Sequence, residues 1–587
     1  MGLGRIRVAT TVSMLLCCAS AAAAAERKAT VVGVEDKALR EAIERAVGEE
    51  PTPVTSRNEA RRRARAAAAD AESLLRSEGY YASVLEPDIS DADPPEAIVK
   101  VDPGPRFILT KPEVEWVGTA PDANTAMEAE RVLGLPPGAP GRAADVIAAE
   151  GRGVAILQAR GYADATIAPR VVTVDHADNT VNPLFKYSAG DLVKLDGVSV
   201  ETKGRTRPEW VQYLIPWKAG SVYRPNSVGE LERRLLDTQV YDSVTVALAP
   251  KPNSDGLRPV VVNLVDRPRR LLEFGAGYST SEGPDIDVRW SLFNKLRRAD
   301  TVTLEARYAA IDSRLGADLL LPHWRWPGNN LKLTAEAFRQ DTDAYIQTGA
   351  DLKADLTRRF GLRNAYFTRG VSVTAAEVID KHTGSMNIGV FAALAALALD
   401  RSDDPLNPRH GWKMDVRAEP TVIVGDENLV YLKVVGQAST YLAFGKEDDT
   451  VVAVRGRVGS IIGGRIPQVP AAYRFFAGGG GSVRGYSYQG VGPRYSDNVP
   501  QGGLALIEGS LELRRHLFGK FGGVAFVDAG SVATEVVPDF SNLSIAAGVG
   551  LRYDLNFAPI RFDVAIPLDR PKGDLPFQIY ISIGQSF

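Results

Sequence analysis

Phe577-Gln578-Ile579-Tyr580-Ile581-Ser582-Ile583-Gly584-Gln585-Ser586-Phe587 closes the sequence and decides the fold class of its second half. The apolar members share one face of a predicted strand, because successive side chains point to opposite faces; they are Phe577, Ile579, Ile581, Ile583 and Phe587. An aromatic strand of this kind is an aggregation hazard unless lipid covers it or another strand pairs with it. We therefore predict the last strand of a membrane β-barrel.

The same alternation continues backwards through residues 269–587. In the segment Trp412-Lys413-Met414-Asp415-Val416-Arg417-Ala418-Glu419 every charge falls on one face. A sandwich in water and a barrel in lipid both produce this pattern, so the periodicity alone leaves the two open. The terminal strand favours the barrel, and at roughly 20 residues per strand plus turn the range predicts about sixteen antiparallel strands.

The N-terminus predicts export from the cytoplasm. Arg5 and Arg7 precede an apolar run, and the small residues 21–25 lie before Glu26, as signal peptidase cleavage requires. We predict a signal peptide over residues 1–25; a membrane anchor would need about 20 apolar residues, which the run lacks. Lipidation is a minor alternative, because Leu16 rather than a small residue precedes Cys17. The two cysteines of the sequence, Cys17 and Cys18, lie in this leader, so the mature chain is expected to lack disulfides and thiolate metal sites.

A repeated pattern organises the first half. Three segments place a helical stretch before a tyrosine and a strand after it, and the tyrosines, Tyr80, Tyr162 and Tyr241, lie 82 and 79 residues apart. Such a spacing is a module length. The second copy predicts a helix over residues 143–158 that Gly161 ends, whereas the third copy has Val240 where the others have glycine. We predict α+β modules at residues 26–103, 104–188 and 189–268, before a barrel at 269–587.

Composition and motifs argue against several classes of function. The net charge of -3 over 587 residues offers no basic excess for nucleic acid. The five histidines show no metal-ligand spacing, and no nucleophile elbow or nucleotide-binding loop occurs. We therefore predict no enzyme, no metal and no cofactor. A hydrolase site assembled in space would leave no linear trace, but it would not explain three modules before a barrel.

Several motifs of the second half carry a resemblance to a known family. They are Arg474-Phe475-Phe476-Ala477-Gly478-Gly479 followed by Ser482-Val483-Arg484-Gly485-Tyr486, then Phe526-Val527-Asp528-Ala529-Gly530, the Asp400–Gly411 segment and Gly548-Val549-Gly550-Leu551-Arg552-Tyr553. In this order they resemble the BamA/TamA-type outer-membrane assembly family, and the repeats resemble its POTRA modules. The count of three modules is most similar to the TamA branch.

The resemblance implies three α+β POTRA modules (β-α-α-β-β) followed by a 16-stranded antiparallel transmembrane β-barrel. It also implies a loop whose tip docks on the lumen wall through Arg484 and Asp528. By alternation Asp528 points into the lumen, and the planar guanidinium of Arg484 can engage a carboxylate bidentately. The other residues expected at this lock are Gly485, Tyr486, Phe526 and Gly530.

The expected activity is insertion of β-barrel or autotransporter clients through a seam between the first strand, near Leu271 to Ser279, and the last. Exposed strand edges at such a seam offer unpaired N–H and C=O groups to a client. The seam residues are predicted to be Leu271, Phe274, Gly277, Ile583, Gly584 and Phe587. Glycine at 584 would let the last strand bend inward.

The expected setting is the outer membrane of a Gram-negative bacterium, with the modules in the periplasm. The expected partners are client outer-membrane proteins, the lipid bilayer and a TamB-type periplasm-spanning protein. The alternative function is a two-partner secretion pore that exports one dedicated substrate.

Overall fold

The computed structural model describes residues 26–280, 282–360, 364–425, 428–445, 448–555, 559–570, 575–583 and 585–587. The predicted signal peptide, residues 1–25, and the predicted bend at Gly584 lie outside these ranges. The chain divides into two compact units: one holds the first two repeats with parts of the third, and the other holds the rest of the third repeat and the barrel.

The first repeat is a small sheet covered by two helices. Its elements are β1 (Glu26–Arg27), β2 (Thr30–Val32), α1 (Lys37–Val47), β3 (Glu49–Glu50), α2 (Arg57–Ser77), β4 (Val84–Ile89) and β5 (Ala97–Asp102). The strand order is β2-β5-β4, with β2 parallel to β5 and β4 antiparallel to it. Ile43 of α1 and Leu75 of α2 are fully buried against this sheet, so the apolar faces of both helices form the core.

The second repeat follows the same plan. It contains β6 (Ile108–Leu109), β7 (Glu113–Trp116), α3 (Ala123–Val132), α4 (Ala143–Ala159), β8 (Thr166–Asp175) and β9 (Thr180–Ser188). The central strand β9 pairs with β6, β7 and β8. Helix α4 matches the helix predicted at residues 143–158 within one residue, and Gly161 follows it with φ 108°. The buried Tyr187 packs in the core with Phe185 and Leu157.

The third repeat ends its helix differently. Its elements are β10 (Leu195–Thr202), α5 (Pro208–Tyr213), α6 (Pro225–Leu236), β11 (Tyr241–Leu248) and β12 (Arg258–Asp266), in the sheet order β10-β12-β11. Gly79 and Gly161 take positive φ directly before the repeated tyrosines, but here Gln239 takes it, at 59°, one residue earlier. Val240 is consequently free of that conformation and is fully buried.

Sixteen antiparallel strands form a closed barrel, which confirms the predicted fold class. They are β13 (Arg270–Ser279), β14 (Gly283–Phe293), β15 (Thr301–Ala309), β16 (Asp312–Leu321), β17 (Asn329–Asp341), β18 (Tyr345–Arg359), β19 (Ala365–Asp380), β20 (Gly384–Asp400), β21 (Gly411–Val424), β22 (Leu429–Phe444), β23 (Thr450–Ile462), β24 (Ala505–Phe518), β25 (Phe521–Ala533), β26 (Ser544–Asp554), β27 (Pro559–Pro567) and β28 (Gln578–Ile583). Each strand pairs with its neighbours in sequence, and β28 returns to β13.

The strands carry different residues on their two faces. Leu315, Leu352 and Val371 point outwards and are more than half exposed, whereas the inward Glu512, Asp528 and similar groups are buried. An apolar outer face and a polar interior are typical of a barrel in lipid. Among the described residues, no helix is long and apolar enough to cross a bilayer.

The closure between β13 and β28 is short. Its ladder pairs are Tyr278 with Ile581 and Ser279 with Tyr580, extended by a hydrogen bond from Thr280 N–H to the Ile579 carbonyl at 3.1 Å. By contrast, β19 and β20 pair along their whole length, from Ala365↔Leu399 to Asp380↔Gly384. Within the described residues, no ladder pair joins the segment 270–277 of β13 to β28.

The placement of Phe587 corrects the sequence prediction. Ile581 and Ile583 lie on the outward face as expected, but β28 ends at Ile583, and Phe587 lies inside the barrel. Its ring stacks on the inward Tyr441 at 6.4 Å between ring centroids, with the Arg514 guanidinium 5.3 Å from its centroid. Alternation fails here because it holds only while the strand continues; in the lumen the ring finds aromatic and cationic partners.

Candidate functional site

The loop between β23 and β24, residues 463–504, lies inside the barrel. It begins and ends close together, because Ile461 N–H donates to the Leu504 carbonyl at 2.7 Å. Further into the loop, Phe475 and Gly503 exchange backbone hydrogen bonds of 2.8 and 2.9 Å. Val483 and Tyr486 of the loop are buried in one cluster with inward residues of β19 and β20, among them Val378 and Val390. The barrel wall therefore supplies the apolar surface that holds the loop in place.

Glycines allow the loop to turn tightly before its tip. Gly478 and Gly479 have φ of 108° and 97°, conformations that other residues rarely adopt. Ser482 Oγ accepts a hydrogen bond from Gly478 N–H at 2.9 Å and donates one to Glu508 of β24. The Arg455 guanidinium donates to the carbonyls of Gly481 and Ser482 at 3.1 and 3.0 Å, so wall groups fix both sides of the turn.

Arg484 at the loop tip forms a bidentate ion pair with Asp528 of β25. Its Nε and Nη2 lie 2.7 and 2.9 Å from Oδ2 and Oδ1 of the carboxylate, and its backbone N–H donates to Oδ2 at 3.1 Å. The Phe526 ring lies beneath the guanidinium, with Cζ 3.5 Å from the ring centroid. Arg484 is 2% exposed and Asp528 is completely buried, so both charges depend on each other and on their neighbours.

Sequence reasoning missed the charges around this pair. Arg484 Nη1 lies 2.7 Å from Glu512 Oε1 and 3.3 Å from Asp563 Oδ2. Further guanidinium groups bind these carboxylates: Arg514 on Glu512, and Arg552 and Arg561 on Asp563. The inward positions include Glu508, Glu512 and Arg514 on β24 and Arg561 and Asp563 on β27. Alternation indicates that these charges share one face of each strand, but the choice of partners depends on the barrel register.

The other residues predicted at the loop tip surround the ion pair. The Tyr580 hydroxyl accepts from Gly485 N–H at 3.0 Å, and the Tyr486 hydroxyl donates to the carbonyls of Ile545 and Asp569 at 3.1 Å. Gly530 leaves room for Val483, whose Cγ2 would lie 2.7 Å from an added Cβ. Tyr580 belongs to β28, so the loop tip contacts the last strand directly.

The seam residues predicted on β13 occupy different surroundings. Phe274 points outwards and is 73% exposed, and Leu271 is 38% exposed. Gly277 faces inwards opposite Asp285, whose Oδ1 would lie 2.5 Å from an added Cβ. Ile583 is 62% exposed at the end of β28. None of these four residues lies in the ladder that joins β13 to β28 in the described part of the chain.

The loop contacts both sides of the seam. Gly480 N–H donates to Glu282 Oε1 at 3.1 Å, directly after β13, and Gly485 N–H donates to Tyr580 of β28.

In the described ranges, no group of His, Cys, Asp and Glu is arranged to hold a metal ion. The interior carboxylates bind guanidinium groups of the protein itself. The arrangement suits mechanical support of the seam by the loop.

A closed sixteen-stranded barrel with an apolar outside, a polar inside and a long loop docked in its lumen defines an outer-membrane β-barrel protein. The chain belongs to the Omp85 superfamily, whose superfamily domain matches residues 294–587.

Relatives of known function and structure agree with this assignment. The chain is 22% identical over 452 residues to the outer membrane protein assembly factor BamA of Neorickettsia risticii, covering 72% of this chain and 58% of that protein. It is 21% identical over 581 residues to BamA of Neisseria meningitidis, covering 88% of this chain and 72% of that one. The crystal structure of BamA from Haemophilus ducreyi lacking POTRA domains 1–3 shares the fold, with a TM-score of 0.66 and 18% identity over 81% of this chain and 99% of that structure.

Proposed function

We propose that this protein assembles outer-membrane proteins by offering the free edge of β13 to client strands at the seam with β28. The observation that carries the proposal is the short ladder, which pairs Tyr278 and Ser279 of β13 with β28. In the described part of the chain, residues 270–277 have no ladder partner on β28. Backbone N–H and C=O groups on such an edge pair readily with an added strand. The BamA relatives are assembly factors by name, which supports the same function here.

The docked loop supports this role from inside the barrel. It contacts Glu282 after β13 and Tyr580 on β28, so its position is coupled to both sides of the closure. The buried ion pair of Arg484 and Asp528 holds the loop tip. We therefore expect Arg484→Ala to impair client assembly while the protein remains in the membrane; unchanged assembly would remove the loop from the mechanism.

The proposal extends to the modules and their partner. Residues 26–103, 104–188 and 189–268 each contain a sheet with covering helices, which supports three POTRA modules in the periplasm. Three modules favour the TamA branch and a TamB-type periplasmic partner, with β-barrel or autotransporter proteins as clients. Copurification of the full chain with such a partner from native membranes would test this part.

An engineered disulfide across the seam, which can be formed and reduced, tests the proposed opening between β13 and β28. Tyr278→Cys with Ile581→Cys places two thiols at directly paired positions, where Cα atoms of antiparallel strands are close enough for a disulfide. The native cysteines, Cys17 and Cys18, lie in the predicted leader, so the engineered pair is the expected disulfide. Client assembly should stop in the oxidised protein and return after reduction.

The control disulfide joins two barrel strands, β19 and β20, that pair along their whole length. Val371→Cys with Ala393→Cys joins β19 to β20 at directly paired positions. This pair should not change assembly in either redox state, because those strands are already held by a continuous ladder. Equal assembly by the oxidised and reduced seam variant would contradict the proposed opening.

Depletion of the protein distinguishes assembly from the alternative of a two-partner secretion pore. Loss of several barrel proteins or autotransporters from the outer-membrane proteome supports assembly, whereas loss of one secreted protein supports export. Conductance of the purified protein in planar bilayers provides a second measurement. The docked loop should keep an assembly factor mostly closed, whereas a secretion pore should open frequently.

A further inference from the structure

A cavity of about 950 Å³ lies at the rim of the barrel, where the turns after β14 and β16 meet helix α5. One part of its lining is aromatic or aliphatic and includes Trp210, Tyr213, Leu321 and Trp324. Another part is cationic and consists of Arg207, Arg298 and Arg325. Glu209 is the one carboxylate among the described residues that line it. The cavity is therefore amphipathic with an excess of positive charge.

The turn that carries Arg298 is held rigidly by a buried carboxylate. Asp300 accepts hydrogen bonds from the backbone N–H groups of Lys295, Leu296 and Arg298 at 3.0, 2.8 and 3.5 Å. Asp300 is completely buried, and these three backbone donors satisfy its carboxylate. The side chains of Lys295, Leu296 and Arg298 are exposed. The turn thus displays cations next to an apolar residue in a fixed conformation.

A chain of buried polar groups anchors the same turn to the third repeat. Asn294 Oδ1 accepts from Ala299 N–H at 3.0 Å, and its Nδ2 donates to Thr206 Oγ1 at 2.8 Å. The hydroxyls of Thr206 and Tyr241 are 2.7 Å apart. The tyrosine of the repeated pattern therefore fixes the wall of the cavity. Binding of a ligand there would need little further ordering of the protein, which favours affinity.

The cationic side chains are available to a ligand. Among the described residues, neither Arg207 nor Arg298 forms a side-chain ion pair with a carboxylate. Arg325 lies over the Trp324 ring, with Cζ 4.7 Å from the ring centroid, and it is exposed. Guanidinium groups match the geometry of phosphate oxygens bidentately. The charge of the cavity complements a phosphate group.

The apolar part of the cavity continues onto the outer face of the barrel. Leu321 shares the outward face of β16 with Leu315, which is 66% exposed. Leu296, which also lines the cavity, and Trp326, which follows Arg325 in the sequence, are 47% and 60% exposed. Tryptophan at the end of a membrane strand is typical of the interface between hydrocarbon and headgroups. A ligand with a phosphate head and acyl chains would satisfy both parts of the site.

We propose that this cavity binds the headgroup of an anionic phospholipid, with Arg298, Arg325 and Arg207 on the phosphate and Leu321 and the tryptophans against the acyl chains. The lipid would come from the inner leaflet. This assignment rests on the proposed function, which puts the modules in the periplasm. Binding would tie the rim beside the first strands to the lipid composition around it. The site is separate from the ion pair of the docked loop and needs no client.

Native mass spectrometry of the full-length protein in detergent tests the site, with phosphatidylglycerol and phosphatidylcholine of the same acyl chains as the two probes. The wild type should retain phosphatidylglycerol in preference to phosphatidylcholine. Each arginine near a lipid surface contributes about fivefold, so Arg298→Gln with Arg325→Gln should weaken retention about 25-fold. High salt should weaken retention by the wild type, because the attraction is electrostatic.

The matched control is Lys520→Gln, an exposed cation in the turn after β24, away from the cavity lining. This variant should retain phosphatidylglycerol like the wild type. Heat-modifiable migration on a gel shows whether each variant keeps the folded barrel. Equal retention of the two lipids, or equal retention by the double variant and the wild type, would overturn the proposal. Lipid binding is measured without a client, so a failure to bind phosphatidylglycerol would not contradict the assembly function. In the same way, a failure of client assembly would not contradict the lipid site.

Discussion

Arg484 Nη1 at the loop tip lies 2.7 Å from Glu512 Oε1 on the barrel wall. The same carboxylate oxygen accepts a hydrogen bond from the Ser586 hydroxyl, and Oε2 accepts one from Arg514 Nε at 2.8 Å. Arg514 in turn donates to the main-chain oxygen of Phe587 at 3.2 Å. One buried carboxylate therefore connects the docked loop to the residues that follow the last strand.

Glu512→Gln should loosen the loop tip and the tail together. The substitution keeps the shape of the side chain but removes the charge, and breaking one partner of a buried ion pair costs about 3–5 kcal/mol. Hydrogen exchange followed by mass spectrometry should show faster exchange in peptides that cover residues 482–486 and 585–587. Glu377→Gln, at an exposed site on β19, should leave both peptides unchanged. Faster exchange in the loop alone would show that Glu512 does not couple the two segments.

Gly485→Ala should undock the loop tip. Gly485 has φ 101°, and an added Cβ would lie 2.9 Å from Ala546 Cβ and 3.1 Å from the backbone carbon of Ile566. A residue other than glycine in such a conformation costs about 1–3 kcal/mol before any steric conflict. Limited proteolysis should cut the loop faster in this variant. Gly481→Ala provides the matched control, since nothing lies within 4 Å of its added Cβ. Identical cleavage of the two variants would argue against the docking geometry.

Phe587→Ala should destabilise the tail inside the lumen, because the Phe587 ring stacks on Tyr441 and lies near the guanidinium groups of Arg455 and Arg514. Loss of one aromatic pair of this kind costs about 0.5–1.5 kcal/mol in addition to the buried area. The midpoint of thermal unfolding, measured by gel migration, should fall. Phe577→Ala removes a ring that is 46% exposed and should have a smaller effect. A larger fall in the midpoint for Phe577→Ala than for Phe587→Ala would contradict the stabilising role of the ring in the lumen.

Acidification should loosen the contact between His323 and the third repeat. Burial lowers the pKa of His323 from its ordinary value of 6.5. The hydrogen bond to the Arg234 carbonyl opposes this shift, the charge of the Arg234 guanidinium adds to it, and the carboxylates of Asp237 and Glu230 oppose it. His323 Nδ1 accepts from Gly328 N–H at 2.9 Å, and Nε2 lies 2.8 Å from the Arg234 carbonyl, so the neutral ring satisfies both groups. A proton on Nδ1 would face an N–H donor.

The sign of the pH dependence follows from that lowered pKa. The stabilisation is complete above pH 6.5 and is lost as the pH falls from there through the pKa of the folded state. Hydrogen exchange in residues 322–330, corrected for its intrinsic rate, should increase between about pH 7.5 and about pH 5.5. His323→Gln cannot titrate and should show no such change. A pH response that persists in this variant would assign the effect to another group.

Alternation along the chain predicts the barrel only together with the terminal strand, because a sandwich in water has the same period. A period of two is a local property of each strand, so it indicates which residues face outwards and how many strands fit into residues 269–587. The same property placed Asp528 inwards, beside Phe526. Partners are not local, however: Asp563 and Glu512 meet Arg484 only because the register of β24 to β27 brings them to the same height.

The position of Phe587 could not be predicted from alternation. The ring belongs to the outward face if the strand runs on, and to the lumen if the strand ends at Ile583. Tyr441 and Arg514, which receive it, are far away in the sequence. An imperfectly closed seam is what the family resemblance implies, but alternation does not give the length of its ladder, because strand length is set by the partner strand as well as by the residues of the strand itself.

The three repeats also differ in which residue they tolerate directly before the repeated tyrosine. Valine introduced at Gly79 or Gly161 would force a β-branched side chain into left-handed backbone, which is among the least tolerated changes in a folded chain. Glycine introduced at Val240 would leave only a cavity and a more flexible backbone, because the reversal there belongs to Gln239. A valine directly before the repeated tyrosine is therefore compatible with the backbone of the third copy and incompatible with that of the first two.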